Sequence, residues 1–171
     1  MIISAALIVL LLAGCELSKY PLILDASGKS KTIRVDWNDP DPYTDSVTIS
    51  IDDLADLTDY DIDSVRFYNL TLHITNDTSD AGASISGEIS VEGITLVTIT
   101  SVEVTAFHKE RSIFDKTLTG YSYNKPGVLF LLNALRNQSP SEIKVKAILS
   151  GDAEMHFDLT VTLYAQVFAN P

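Results

Sequence analysis

Fourteen consecutive residues near the C-terminus alternate without a break. Met155, Phe157, Leu159, Val161, Leu163, Ala165 and Val167 interleave with His156, Asp158, Thr160, Thr162, Tyr164, Gln166 and Phe168. A period of two puts each set on its own face of a β-strand, whereas a helix would scatter both around its circumference. Burying a large apolar side chain is worth about 1.5–3 kcal/mol, so the first set demands a core on one side. The second set is mostly polar and demands water on the other. A chain with this run at its end must build a sheet around it.

The same period recurs upstream. Ile33, Val35 and Trp37 alternate with Thr32, Arg34 and Asp36, and Val47, Ile49 and Ile51 with Thr48 and Ser50. Ser64 to Thr75 reads as a long strand with Leu70, Leu72 and Ile74 on one face. Asn76 to Gly82 has turn composition, and Ile85, Ile89 and Val91 then alternate with polar neighbours up to a break at Glu92-Gly93. A further β-rich run covers Ile94 to Phe107, and its apolar parity changes between Ile99 and Val102, which predicts a bulge there. Ile143, Val145, Ala147 and Leu149 form another alternating set.

Two segments read as helical instead. Residues 52–58 suit one or two turns that Ser50 can cap, with Asp52 and Asp53 at the positive end. Pro126 to Asn137 is a helix with Pro in its first turn, and Leu129, Leu132 and Leu135 at helical spacing are expected to face the sheet. Lys109 to Lys125 shows no readable period. The expected fold is mainly β: an antiparallel two-sheet β-sandwich, immunoglobulin-like in style, with one or two short helices.

The N-terminus is of a different kind. Ile2 to Leu12 is apolar apart from Ser4, too short to span a bilayer and of the right length for the core of a secretory signal. It ends in Leu12-Ala13-Gly14-Cys15, which resembles the lipobox of bacterial lipoproteins. That resemblance implies a signal peptide over 1–14, cleavage before Cys15 and lipidation of its thiol. It also implies attachment to the bilayer through acylated Cys15 in the cell envelope, with Glu16 pointing to the outer membrane rather than the inner. Residues 15–30 then read as lipidated cysteine and tether, with Leu22-Ile23-Leu24 as a first edge strand the alternative, and 31–171 as the β-sandwich domain. Cys15 is the only cysteine, so a disulfide or a cysteine-held zinc within one chain is impossible.

Charge narrows the function classes further. The chain carries a formal net charge of −11, and the stretch from Asp36 to Asp63 holds ten Asp with no Lys or Arg. With no basic surface to meet phosphates, no nucleic-acid partner is expected. Asp36, Asp39, Asp41 and Asp45 crowd one Pro-stiffened loop, and hard oxygen ligands at that spacing are candidates for Ca²⁺. A solvated, Pro-stiffened turn is the preferred reading and no metal is expected, since the glycine and glutamate of an EF-hand loop are missing. Trp37 and Tyr43 flank the same loop, so a carbohydrate-binding face there is an alternative. His156 and Asp158 share one strand face, about 7 Å apart, and can serve as an acid–base or metal pair or simply as polar surface.

No nucleophile elbow or HExxH spacing occurs, and the three histidines are scattered. The reading is a non-enzymatic, membrane-anchored envelope lipoprotein without cofactor, acting as a structural or interaction module with a protein partner in the envelope. A carbohydrate- or calcium-dependent binding module is the alternative, and a hydrolase with dispersed carboxylates stands third.

Overall fold

The computed structural model describes residues 22–39, 41–50 and 61–170. Nine strands run in chain order: β1 (Leu22–Trp37), β2 (Tyr43–Ser50), β3 (Asp61–Thr75), β4 (Ser84–Val91), β5 (Ile94–Glu103), β6 (Arg111–Ser112), β7 (Tyr121–Tyr123), β8 (Glu142–Gly151) and β9 (Met155–Asn170). One sheet has the order β1-β9-β3-β6 and the other β2-β8-β4-β5-β7. Every strand pair within them is antiparallel. The chain is a β-sandwich, as its alternation requires. Its layering is immunoglobulin-like in style, while its connectivity is its own. Immunoglobulin sheets run 1-2-5-4 and 3-6-7 in chain order; here the last strand lies between the first and the third.

That central place follows from β9's own sequence. All seven members of its apolar set are buried. They meet Ile33 and Val35 of β1 and Leu70, Leu72 and Ile74 of β3 in one core with Ile143, Val145, Ala147 and Leu149 of β8. β9 bonds β1 on one edge and β3 on the other over nearly its whole length. Trp37 and Val47 pack against the core while staying partly exposed, and Ile49 is fully buried.

Irregularities lie where the period breaks. Ile85 faces Val102 and Gly87 faces Ile99, so β5 carries one extra residue between Ile99 and Val102. This is the bulge that the parity change predicts, and Ser101 within it has positive φ. A second register shift near Leu96 lets both Leu96 and Val97 point inward. Glu92 and Gly93 join β4 to β5 as a two-residue turn, both with positive φ, as a type I′ hairpin needs.

Three expectations are corrected. β1 starts at Leu22, so residues 22–30 belong to an edge strand and not to a tether. The alternation is hidden there by a register shift between Ala26 and Lys29. The run Ile94–Phe107 stops being strand at Glu103, and Val104–Phe107 is a 3-10 turn that buries Val104 and Phe107. The helix, α1 (Lys125–Asn137), has Pro in its first turn and buries Leu135 as expected, with Leu132 partly buried against the core, but Leu129 faces outward. It buries Gly127, Val128, Leu131, Ala134 and Leu135 against β3 and β5, one strand from each sheet. Leu129 is 48% exposed, because a helix that closes the gap between two sheets takes its contact stripe from their positions and not from its largest residues. The expected turns at 52–58, the signal peptide and Cys15 lie outside the described residues.

Candidate functional site

At one end of the sandwich the outward face of β9 meets the end of β1 and the loop after β3. Register places Asp36 directly opposite His156, and Arg34 opposite Asp158. β3 ends at Thr75, so beyond it the loop runs along β9 in its place. Thr78 N donates to His156 O at 2.9 Å, His156 N to Ser79 Oγ at 3.0 Å, and Asp80 N to Glu154 O at 3.3 Å. Asn76 takes a left-handed conformation and turns its amide to Asp158 Oδ2 at 2.7 Å. A cavity of about 290 Å³ remains, lined by Arg34, Asp36, Asn76, Thr78, His156 and Asp158 among others. The structure therefore does bring His156 and Asp158 to one site, and adds Asp36, Glu154 and Asn76 to it.

The chemistry of that site is set by the imidazole's two neighbours. His156 Nδ1 lies 2.7 Å from Asp36 Oδ1, and Nε2 lies 2.9 Å from Glu154 Oε1. Carboxylates only accept, so both bonds form together only when the ring is protonated and both nitrogens donate. The bond to Glu154 raises its pKa above the ordinary 6.5, with Asp36 adding to it against a smaller desolvation effect. While both bonds are made, the ring has no free lone pair with which to accept a proton. It acts as a clamp.

This clamp makes stability depend on pH. A raised folded pKa means that His156 stabilises the fold fully below its unfolded value of about 6.5, and that the contribution fades as pH climbs through the folded value. The wild-type melting temperature should therefore fall over that window more steeply than that of His156→Gln. Parallel pH profiles for the two proteins would show that the clamp does not form.

The other histidines have their own partners. His108 Nε2 lies 2.8 Å from Asp77 Oδ2, and His73 Nε2 lies 3.2 Å from His108 O. Burial raises the Asp77 pKa, yet bonds from Ser79 and His108 outweigh it and leave the carboxyl below its usual range. The 76–80 loop is thus held by the His108 side chain through Asp77 and by the His156 main chain through Thr78 and Ser79.

The four aspartates considered for calcium do not converge. Asp36 is engaged with His156, Asp39 Oδ1 accepts from Asp41 N at 3.0 Å, and Asp45 accepts from Ser46 N and Tyr43 OH. Asp41 contributes its backbone oxygen to Trp37 Nε1 at 2.6 Å. Among the described residues no group of three or more His, Cys, Asp or Glu is arranged to hold a metal. Trp37 and Tyr43, weighed as a sugar-stacking pair, anchor the loop instead: Tyr43 OH donates to Arg34 O at 2.7 Å, and both rings pack on the core. Burial, with Asp45 next to it, pushes the Tyr43 phenol up to about 12.

Glu154 and Asn76 are site residues that sequence reasoning missed. Glu154 had a usable signal: it stands two residues before His156 and so on the same side of an extended chain. Asn76 had none, since its role depends on a left-handed turn.

No family model matches the chain, and no curated protein matches it. Among solved structures, the crystal structure of the decameric BFDV capsid protein is similar over 86% of this chain and 98% of that one. Identity is 12% and the TM-score 0.33, so the likeness bears on neither fold nor function.

Proposed function

We propose that this chain is a lipoprotein of the bacterial envelope, with a signal peptide over residues 1–14, a lipidated Cys15, and a β-sandwich that serves as a non-enzymatic structural or interaction module. The observation that carries the reading is Leu12-Ala13-Gly14-Cys15 standing directly behind the apolar run from Ile2. A non-enzymatic role is supported by the histidine end, where His156 is bonded to Asp36 and Glu154, and Asp158 to Asn76. A carboxylate-rich surface with a net charge of −11 argues against electrostatic attachment to anionic lipid, which leaves the acyl chains to make the membrane contact. Glu16 after the cysteine favours the outer membrane in bacteria that sort lipoproteins as enteric bacteria do.

Metabolic labelling with palmitate should tag the wild-type chain and not Cys15→Ser. Equal labelling of both, or a mature protein that still begins at Met1, would refute lipidation. Density-gradient fractionation of membranes tests the sorting, with inner-membrane enrichment the contrary result.

A further inference from the structure

The outer face of the first sheet, away from the histidine end, carries an open groove of about 470 Å³. That volume lies within the roughly 300–1,000 Å³ range of small-ligand sites. Tyr68, Asn69, Thr71, Glu110, Ser112 and Tyr164 line it. We infer that this groove binds a neutral saccharide, with the Tyr68 ring as its stacking platform and Glu110 and Asn69 as its hydroxyl-binding groups. The inference does not depend on the lipoprotein reading, since it rests on the folded domain alone.

Each wall of the groove is built by a specific irregularity. Between Phe67 and Asn69, β3 has one residue more than β9 opposite it. Phe67 stays in the core while Tyr68 and Asn69 both turn outward. Re-aiming a side chain is a recurrent use of such bulges. Tyr68 is 49% exposed, yet its position is fixed: its hydroxyl donates to Gln166 Oε1 at 2.5 Å, and Arg66 stands 5.9 Å from the ring centroid. Tyr164 leans over Gly28, where a Cβ would come within 2.9 Å of its Cε1. The missing side chain at Gly28 makes room for that ring.

Glu110 stands just ahead of β6 and is ordered by two donors. Thr71 Oγ1 and Tyr164 OH both bond its Oε1, at 2.5 and 2.6 Å. Those bonds keep its carboxyl ionised below the usual range, the Thr71 bond contributing most. Asn69 accepts from Ser112 Oγ at 2.7 Å through Oδ1. Among the described residues, Glu110 Oε2 and the two N–H groups of Asn69 take no hydrogen bond. A held acceptor and a held donor pair thus line the same open groove as an exposed aromatic ring.

That combination matches a pyranose, whose C–H face stacks on an aromatic ring while its rim of hydroxyls both donates and accepts. A peptide fits less well, because it would need side-chain pockets or a long free strand edge, and β6 offers an edge of two residues. Acidic sugars are disfavoured by Glu110 and by the net charge of −11.

The test uses the full chain purified in a sugar-free zwitterionic detergent. Titration calorimetry with neutral probes (maltotriose, cellotriose, mannobiose and chitobiose) should give saturable binding of at least one, and none of a galacturonate trimer. Tyr68→Ala and Glu110→Gln should each weaken that binding about tenfold or more while the melting temperature holds. In the wild-type chain, amide shifts on titration should centre on residues 68–71, 110–112 and 164–166, a readout that needs no variant. Failure of every neutral probe at millimolar concentration would overturn the inference. So would binding that survives both substitutions, or that maps to Trp37 and the acidic loop.

Discussion

Replacing Leu159 by Ala should destabilise the domain by about 2–5 kcal/mol, the range for emptying a packed core site. Replacing Val161 by Asp should prevent folding. Val161 is fully buried on β9 and lies opposite Leu72 in the register with β3, so a carboxylate there meets neither water nor a partner. Thr160, between them in sequence, faces the other way and shares a 3.1 Å hydroxyl contact with Thr32 in an exposed position. Thr160→Ala should stay within about 0.5 kcal/mol of wild type, as surface changes do. Urea unfolding of the three variants checks this directly. Similar losses on both faces would mean that β9 is covered on both sides.

Gly87→Ala should also destabilise strongly, by about 3 kcal/mol or more. A Cβ at this position would stand 2.0 Å from Ile148 O and 3.0 Å from Leu149 Cα, against backbone that cannot swing aside. β4 is bonded on both edges, to β5 and β8, so neither neighbour can yield without breaking a ladder. The φ of +149° adds a conformation that side chains resist. Gly93→Ala is the matched control: its φ is also positive, but nothing lies within 4 Å, so it should lose only about 1–2 kcal/mol. Equal denaturation midpoints for the two variants would refute the crowding at Gly87.

The sandwich was legible because each long strand buries one face and wets the other, which leaves a two-residue period in β3, β8 and β9. Even the bulge between Ile99 and Val102 left its mark as a change of parity. Elsewhere local irregularity erased the signal. The shift around Ala26–Lys29 broke the alternation of β1, and β6 and β7, at two and three residues, are too short to show any period. The histidine site was half legible: β9 and the residue before it put Glu154, His156 and Asp158 on one side, but Asp36 and Asn76 come from other segments by register and by a left-handed turn. The acidic loop left calcium and a solvated turn both open in sequence, because closeness in sequence says nothing about where carboxylates point. The Tyr68–Glu110 groove had no sequence signal at all, since its platform depends on a bulge and its carboxylate lies in the stretch without a period.

The early start of β1 also sets how the molecule would stand on a bilayer. With lipid on Cys15, the strand begins within a few residues of its mooring, too short a leash for the domain to drift far from the headgroups. Sixteen residues of extended chain span about 50 Å from there to Trp37. If the lipidation proposed above holds, the end where Leu22 pairs with Ala169 would be the foot of the mast, and the end where Trp37 pairs with Met155 its masthead. The histidine clamp and the acidic loop would then face outward, where a partner on another structure arrives first. Tyr164 lies near the middle of β9, so a saccharide on that flank would be held partway along the mast, between the headgroups and the outer end.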